Sequence, residues 1–205
     1  MKTTKNKSIA FTPIGIAMIA VLTAASYGLS FLQMPIPFTP AFARFDLSDI
    51  PALIGSFVFG PLVGVLVELV KNLLGLITSG TGGVGELANF LIKASFVAVA
   101  GVIGRLKGGN LKFAILGCAV GSLVRGIVAA LANYFILLPL FEGFMPLEQL
   151  IQAFGEMIPF IKTKLDIVLY NAFPVNVIQG ILVSVVALLV YKPLSGLLKK
   201  LVNRE

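Results

Sequence analysis

Phe57-Val58-Phe59-Gly60-Pro61-Leu62-Val63 lies inside an apolar run from Asp49 to Thr78, and the reading of that stretch decides the fold. Read as one helix, the run is a single membrane span. Proline opens helices readily and disrupts their interiors, so Gly60-Pro61 can instead break the run into two. The basic residues choose between the two readings. With one span, Arg105, Lys107 and Lys112 fall on the side opposite Lys2, Lys5 and Lys7. With a tight turn at Gly60-Pro61, all of these share one side with Lys192, Lys199, Lys200 and Arg204, while Glu142, Glu148 and Glu156 lie on the other. Lysine and arginine accumulate on the cytoplasmic side of membrane proteins, which favours the turn, six transmembrane helices and cytoplasmic N- and C-termini. The expected spans are 9–32, 49–59, 61–78, 86–104, 112–140 and 166–198, the last interrupted at Pro174. The second is too short to cross alone and is expected to be tilted or sheltered by its neighbours.

Composition supports the same class. The 205 residues are 58% hydrophobic and only 12% charged, and the mean hydropathy is +1.00. That leaves too little polar surface for a soluble globule, and at roughly 20 residues per crossing the chain forms one all-α transmembrane domain, 1–205. The net charge of +7 sits in short clusters between apolar runs, which excludes a nucleic-acid surface in favour of topology signals. The single cysteine, Cys118, excludes a disulfide framework, and the absence of histidine removes ordinary metal sites and His-based catalysis. The run from Ile9 to Leu32 follows three lysines as a signal peptide would, with Ala24-Ala25-Ser26 as a cleavage site. It is too long for a signal core and continues through Phe31 and Leu32, so it reads as helix 1. Met34-Pro35-Ile36-Pro37-Phe38-Thr39-Pro40 ends it as an ordered loop.

Several polar groups collect at the outer ends of different helices. Arg44, Asp46 and Asp49 belong to the first loop, and Thr81 to Glu86 to the second. Asn133 stands near the outer end of helix 5, and Asn176 and Gln179 at the outer start of helix 6. Gly126, Ala129 and Ala130 beneath Asn133 leave room for a flat ligand. The alternative is that small residues let helices pack and amides bond across them. For Asn133 alone the two readings stand level; the whole constellation favours a binding site.

Gly80-Thr81-Gly82-Gly83-Val84-Gly85 fits G-x-G-x-x-G before a helix, but a membrane span precedes it and no βαβ unit or lysine completes a nucleotide motif. It reads as a loop at a pocket mouth. Glu68, Lys71, Lys93 and Arg125 are costly inside a membrane. Glu68 and Lys71 at i, i+3, and the shared face of Glu86, Asn89 and Lys93, point to internal ion pairing. Glu86 itself, at a helix start, suits either a ligand or the helix dipole. Ala17, Ala20 and Ala24 form a small-residue stripe on helix 1 that fits packing within the bundle or docking onto a separate membrane subunit equally well.

On these residues the chain resembles a known family. Phe45-Asp46-Leu47-Ser48-Asp49-Ile50-Pro51-Ala52-Leu53-Ile54-Gly55, Phe59-Gly60-Pro61, Glu68-Leu69-Val70-Lys71-Asn72-Leu73-Leu74, Gly85-Glu86-Leu87-Ala88-Asn89-Phe90 and Asn176-Val177-Ile178-Gln179-Gly180 are similar to the S components of energy-coupling factor (ECF) vitamin transporters, most closely the riboflavin-specific branch. Gln179 departs from the pattern, since some members carry lysine there. The resemblance implies six helices and an outward vitamin site closed by the first loop. It also implies a first helix that docks by its alanines on a transmembrane T subunit, with two cytoplasmic ATPase subunits supplying energy. Riboflavin or its phosphate FMN would be cargo rather than cofactor. Asn133, Asn176 and Gln179 would meet the polar edge of the ring, and Asp46, Thr81 and Glu86 the ribityl hydroxyls. Apolar groups would sandwich the ring, and no enzymatic step is required. An S component for another vitamin would keep this topology with a different outer polar set. An intramembrane enzyme would need catalytic groups converging at one depth, whereas the acids here are scattered or loop-borne.

Overall fold

A computed structural model describes residues 9–35, 44–108 and 110–202. Lys2, Lys5, Lys7, Arg204 and residues 36–43, on which most of the expected ordered loop falls, lie outside the described residues, as do the side chains of Arg44, Lys192, Lys199 and Lys200.

Helix α1 (Pro13–Leu29) follows a 3-10 turn at Ile9–Phe11. The Thr12 hydroxyl accepts from the Gly15 N–H at 3.1 Å, and Pro13, lacking an N–H, fits the first helical position. The helix therefore covers less than 9–32. Strands β1 (Gln33–Pro35) and β2 (Arg44–Asp46) pair antiparallel, with Gln33 opposite Asp46. Helices α2 (Asp49–Phe59) and α3 (Pro61–Gly75) meet at Gly60, whose φ of 119° suits glycine alone. A Cβ there would lie 2.9 Å from the Arg105 Nη1, so the turn and the end of α4 (Val84–Gly104) share one end of the bundle.

Helix α5 (Leu111–Ala132) runs through a π-helical segment, Asn133–Leu137, into α6 (Leu138–Glu142). Helix α7 (Leu147–Gly155) occupies a stretch where the hydropathy reading placed no element. It buries Leu150 and Phe154 and turns Glu148, Gln149 and Gln152 outward. Helix α8 (Lys164–Ile167) passes through a second π-helical segment, Val168–Ala172, into α9 (Phe173–Val202). The expected interruption at Pro174 is thus a wide turn in a continuing helix. A proline ring clashes with the carbonyl four residues back, and Phe135 for Pro139 and Tyr170 for Pro174 both lie in π turns that make the room.

Among the described residues, four helices are long and apolar enough to cross a membrane: Pro61–Thr78, Val84–Gly104, Leu111–Glu142 and Lys164–Tyr191. Pro13–Leu29 and Asp49–Phe59 are shorter apolar helices. The chain is a multi-pass membrane protein, and its surface accords with that, since Ile16, Leu73, Val102 and Leu189 face outward while Asp49, Glu68, Lys71, Lys93 and Arg125 are buried. Helix α2 is buried almost throughout, against α1, α3, α4 and α9. Lipid is as apolar as the side chains, so association here depends on close packing. Gly117 and Gly121 bring α5 against α4: a Cβ at Gly117 would sit 2.5 Å from the Ala100 carbonyl oxygen, and one at Gly121 3.0 Å from that of Phe96.

Candidate functional site

The α2 start, α3 end and α4 start converge at the end opposite Gly60, and there a buried charge network forms. Asp49 is its hub. The Lys93 Nζ lies 2.9 Å and the Lys71 Nζ 3.4 Å from Asp49 Oδ1, and the Arg125 Nη1 donates to Oδ2. Lys71 also lies 2.5 Å from Glu68 Oε2, an ion contact outside hydrogen-bond geometry, and Lys93 lies 2.5 Å from Asp46 Oδ2. Three carboxylates thus meet three cations, which removes the net charge that would make burial prohibitive. Glu68 and Lys71 pair directly, as their spacing leads one to expect, while Lys93 and Arg125 pair through Asp49 rather than with Glu86.

Beside this network lies a cavity of about 560 Å³, lined by Asp46, Thr81, Gly85, Glu86, Asn89, Ile92, Lys93, Arg125, Asn176 and Gln179. It brings together Asp46, Thr81, Glu86, Asn176 and Gln179, drawn from the first loop, the second loop and α9. Asn89, Lys93 and Arg125 had not been expected in its wall. The sequence signal for Asn89 and Lys93 is the helical face they share with Glu86, a spacing that suits ion pairing equally well. A second cavity of about 360 Å³ shares the wall of Asp46, Glu86 and Asn89 and extends to Tyr27, Ser30, Lys71 and Asn72. The Asn89 amide donates to the Asn72 Oδ1 at 2.8 Å across that partition.

Each expected ligand residue has local partners. The Asp46 Oδ1 accepts from the Ser48 N–H at 2.7 Å, and Oδ2 accepts from the Ser48 hydroxyl at 2.7 Å and from Lys93. Burial pushes the Asp46 carboxyl up, but the charge and hydrogen bond of the Lys93 ammonium, joined by the charge of Lys71, together hold the group below its ordinary range. Asp46 therefore braces the wall as an ionised anchor.

In the second loop, Gly82 and Gly83 take φ of 62° and 93°. The Ser79 hydroxyl accepts from the Gly83 N–H at 3.0 Å and the Thr81 hydroxyl from the Gly85 N–H at 3.0 Å. Both hydroxyls then donate to Glu86 Oε2, at 2.8 and 3.1 Å. The amides of Thr81, Gly83, Val84 and Gly85 are satisfied within the turn, so the G-x-G-x-x-G match serves as a helix-entry structure.

The Asn176 amide donates to the Ala172 carbonyl at 2.9 Å, leaving its oxygen and a second N–H for a ligand. The Arg125 Nη2 donates to the Gln179 Oε1 at 2.8 Å. Asn133 is not in the lining; its amide donates to the Ala129 carbonyl at 2.8 Å. Packing of Ala129 and Ala132 against Ala88 and Ile92 holds it beside the cavity. The space expected next to Gly126 is filled, because a Cβ there would collide with Val177 and Phe173. Gly126 lets α5 and α9 approach, while Ala129 and Ala132 pack toward α4. Ile92 is the one bulky apolar side chain of the described lining, so the expected apolar sandwich is not assembled there. Ala17, Ala20 and Ala24 are all exposed, while Leu22, Thr23 and Ser26 face the bundle. The stripe is therefore not internal packing.

The family model for the substrate-specific component of ECF transporters matches residues 5–191. The riboflavin transporter RibU of Staphylococcus aureus (strain TCH60) is 37% identical over 184 residues, covering 89% of this chain and 91% of the relative. The riboflavin transporter FmnP of Bacillus subtilis (strain 168) is 28% identical over 179 residues, 86% of this chain and 89% of the relative. A solved structure, described as the S component of a bacterial ECF transporter, superposes with a TM-score of 0.68 at 37% identity, covering 90% of this chain and 96% of that one.

Proposed function

The chain belongs to the substrate-specific components of ECF transporters, and from that premise we propose that it captures riboflavin outside the cell and mediates its uptake. The observation that carries the reading is the 560 Å³ cavity, in which amide, hydroxyl and carboxylate groups of three separate segments converge. Its volume falls in the range of small-molecule sites, and a polyhydroxylated ring compound needs such a mixed set of donors and acceptors. Asn176 and Gln179 bind the polar ring edge, with Asn133 joining from the adjoining turn. Thr81 and Glu86 take ribityl hydroxyls, and Asp46 fixes the wall they share. Riboflavin is cargo and undergoes no reaction.

The membrane arrangement consists of six spans with both termini cytoplasmic. Its support is the pairing of Gly60 with Arg105, which puts the α2–α3 turn at the basic end of the bundle, opposite the cavity. Helix α2, too short to cross by itself, is carried inside its neighbours. The exposed alanines of α1 dock on the T subunit, and two cytoplasmic ATPases drive the cycle.

Titrating purified protein into riboflavin tests the function. Flavin fluorescence should be quenched and saturate at an equimolar ratio; an unchanged signal over a wide protein range rules riboflavin out.

A further inference from the structure

Between the spans Leu111–Glu142 and Lys164–Tyr191 the chain makes an excursion that lines neither of the two large cavities. Its ends are tied at the base, where the Lys164 Nζ lies 2.9 Å from the Glu142 Oε1. Helix α7 within it has its apolar face taken: Leu150 and Phe154 are buried, and Phe154 packs with Leu138, Ile161, Ile167 and Val168. Outward it shows Glu148, Gln149 and Gln152, which suits water. The residues on either side of α7 break this pattern. Phe144 is 75% and Phe160 74% exposed, with Met145 and Met157 exposed beside them.

Two lengths place these rings relative to the membrane. The first span has 32 residues, about 48 Å of helix against about 40–45 Å for a bilayer with its headgroups, so with Leu111 at one surface Glu142 reaches the other. Phe144, two residues on, therefore starts at the headgroup layer. An excursion leaving there for bulk water would hold two phenylalanine rings in water without gain. Phe160 instead turns back along the second span. Its ring centroid lies 6.5 Å from that of Tyr170, six residues past Lys164 and thus about 9 Å further along the helix. The Phe160 ring is beside the span wall rather than above its end, and its free face continues the surface formed by the exposed Leu165, Leu169 and Tyr170.

We infer that this excursion is an interfacial anchor: Phe144 and Phe160 insert into the headgroup–acyl boundary at the cavity end of the bundle, while the polar face of α7 stays in water. Lipid is the occupant of this apolar surface, because the surface is continuous with the outward wall of a membrane span. Aromatic rings are favoured at that depth, and Tyr134 and Tyr170 stand near the same end on the two flanking spans.

The chain contains no tryptophan, so a single introduced one reports its own surroundings. Phe160→Trp, Phe144→Trp and Gln152→Trp, the last on the outward face of α7, are each made in the full-length protein and reconstituted without flavin into phosphatidylcholine vesicles. Bromine carried near the headgroup end of the acyl chain should quench most of the emission of the Phe160→Trp and Phe144→Trp proteins and little of that of Gln152→Trp. Iodide present on both sides of the membrane should do the reverse. Bromine near the chain terminus should quench the two phenylalanine variants less than the shallow bromine does. If iodide quenches them as fully as Gln152→Trp, the rings stand in water and the anchor is overturned. Emission reached by neither quencher overturns it as well, because protein, of this chain or a second copy, then covers the rings. Strongest quenching by the deep bromine overturns the interfacial depth. The test is independent of the riboflavin reading.

Discussion

Asn176 and Gln179 lie one turn apart on α9, and both line the same cavity, but they enter it differently prepared. Gln179 is clamped by a cation, while Asn176 is tied only to the Ala172 carbonyl of its own helix. Losing the Asn176 amide strands a polar group of the ligand away from water, so Asn176→Ala should cost about 1–3 kcal/mol of riboflavin binding. The protein should otherwise fold normally, since the bond lost is within one helix. Calorimetric or fluorescence titration would show the change, and undiminished affinity would remove Asn176 from the site. Polar residues of this kind were legible in the sequence because each is expensive in an apolar chain and calls for an explanation. Their partners were not. Asp49 and Arg125 are 76 residues apart, and no periodicity links an acid at the start of one helix to a base deep in another. Asn133 shows the opposite limit: its placement near the outer end was readable, but the return bond to Ala129 depends on a rotamer that spacing does not reveal.

At the scale of elements, the Gly60-Pro61 break was readable because proline and glycine constrain the backbone locally, and the charge bias gave the break a reason. The wide turns before Pro139 and Pro174 were harder to see. The sequence marks the prolines, but whether a helix stops or bulges depends on packing around the freed carbonyls. Helix α7 escaped notice because it is short and amphipathic, and hydropathy averaged over a span blurs its Leu147, Leu150, Ile151 and Phe154 face. The turn at Gly60 carries a topological prediction. Arg105 packs over it, so the segment around Lys107 lies at the same end, which the six-span arrangement assigns to the cytoplasm. With Cys118 replaced and Lys107→Cys introduced, a membrane-impermeant thiol reagent should fail to label intact cells and succeed once they are opened. Labelling from outside would invert the arrangement.

For the whole molecule, the proposed function raises the question of how a bundle with its cavity at one end would engage a partner along its side. The faces of helix α1 suit a division of those two tasks. Leu22, Thr23 and Ser26 turn inward, and Ser26 donates to the Ser48 carbonyl beside Asp49, whereas Ala17, Ala20 and Ala24 turn outward. In lipid, helices attract one another chiefly through close backbone approach, so a stripe of methyl groups is suited to receive another helix. Replacing Ala20 and Ala24 together by leucine adds bulk only on that outer face. The cavity, built from the loops, α4, α5 and α9, should keep its shape, and the isolated double variant should bind riboflavin as before. Assembly is where the bulk acts, by holding the partner helix off. The expected outcome is loss of co-purification with the T and ATPase subunits and a fall in riboflavin uptake by cells, with binding by the purified subunit intact. Normal assembly and uptake would show that the stripe merely faces lipid. Collapse of binding would mean that α1 shapes the cavity through its outer face as well, contrary to the division of faces on which the docking argument depends.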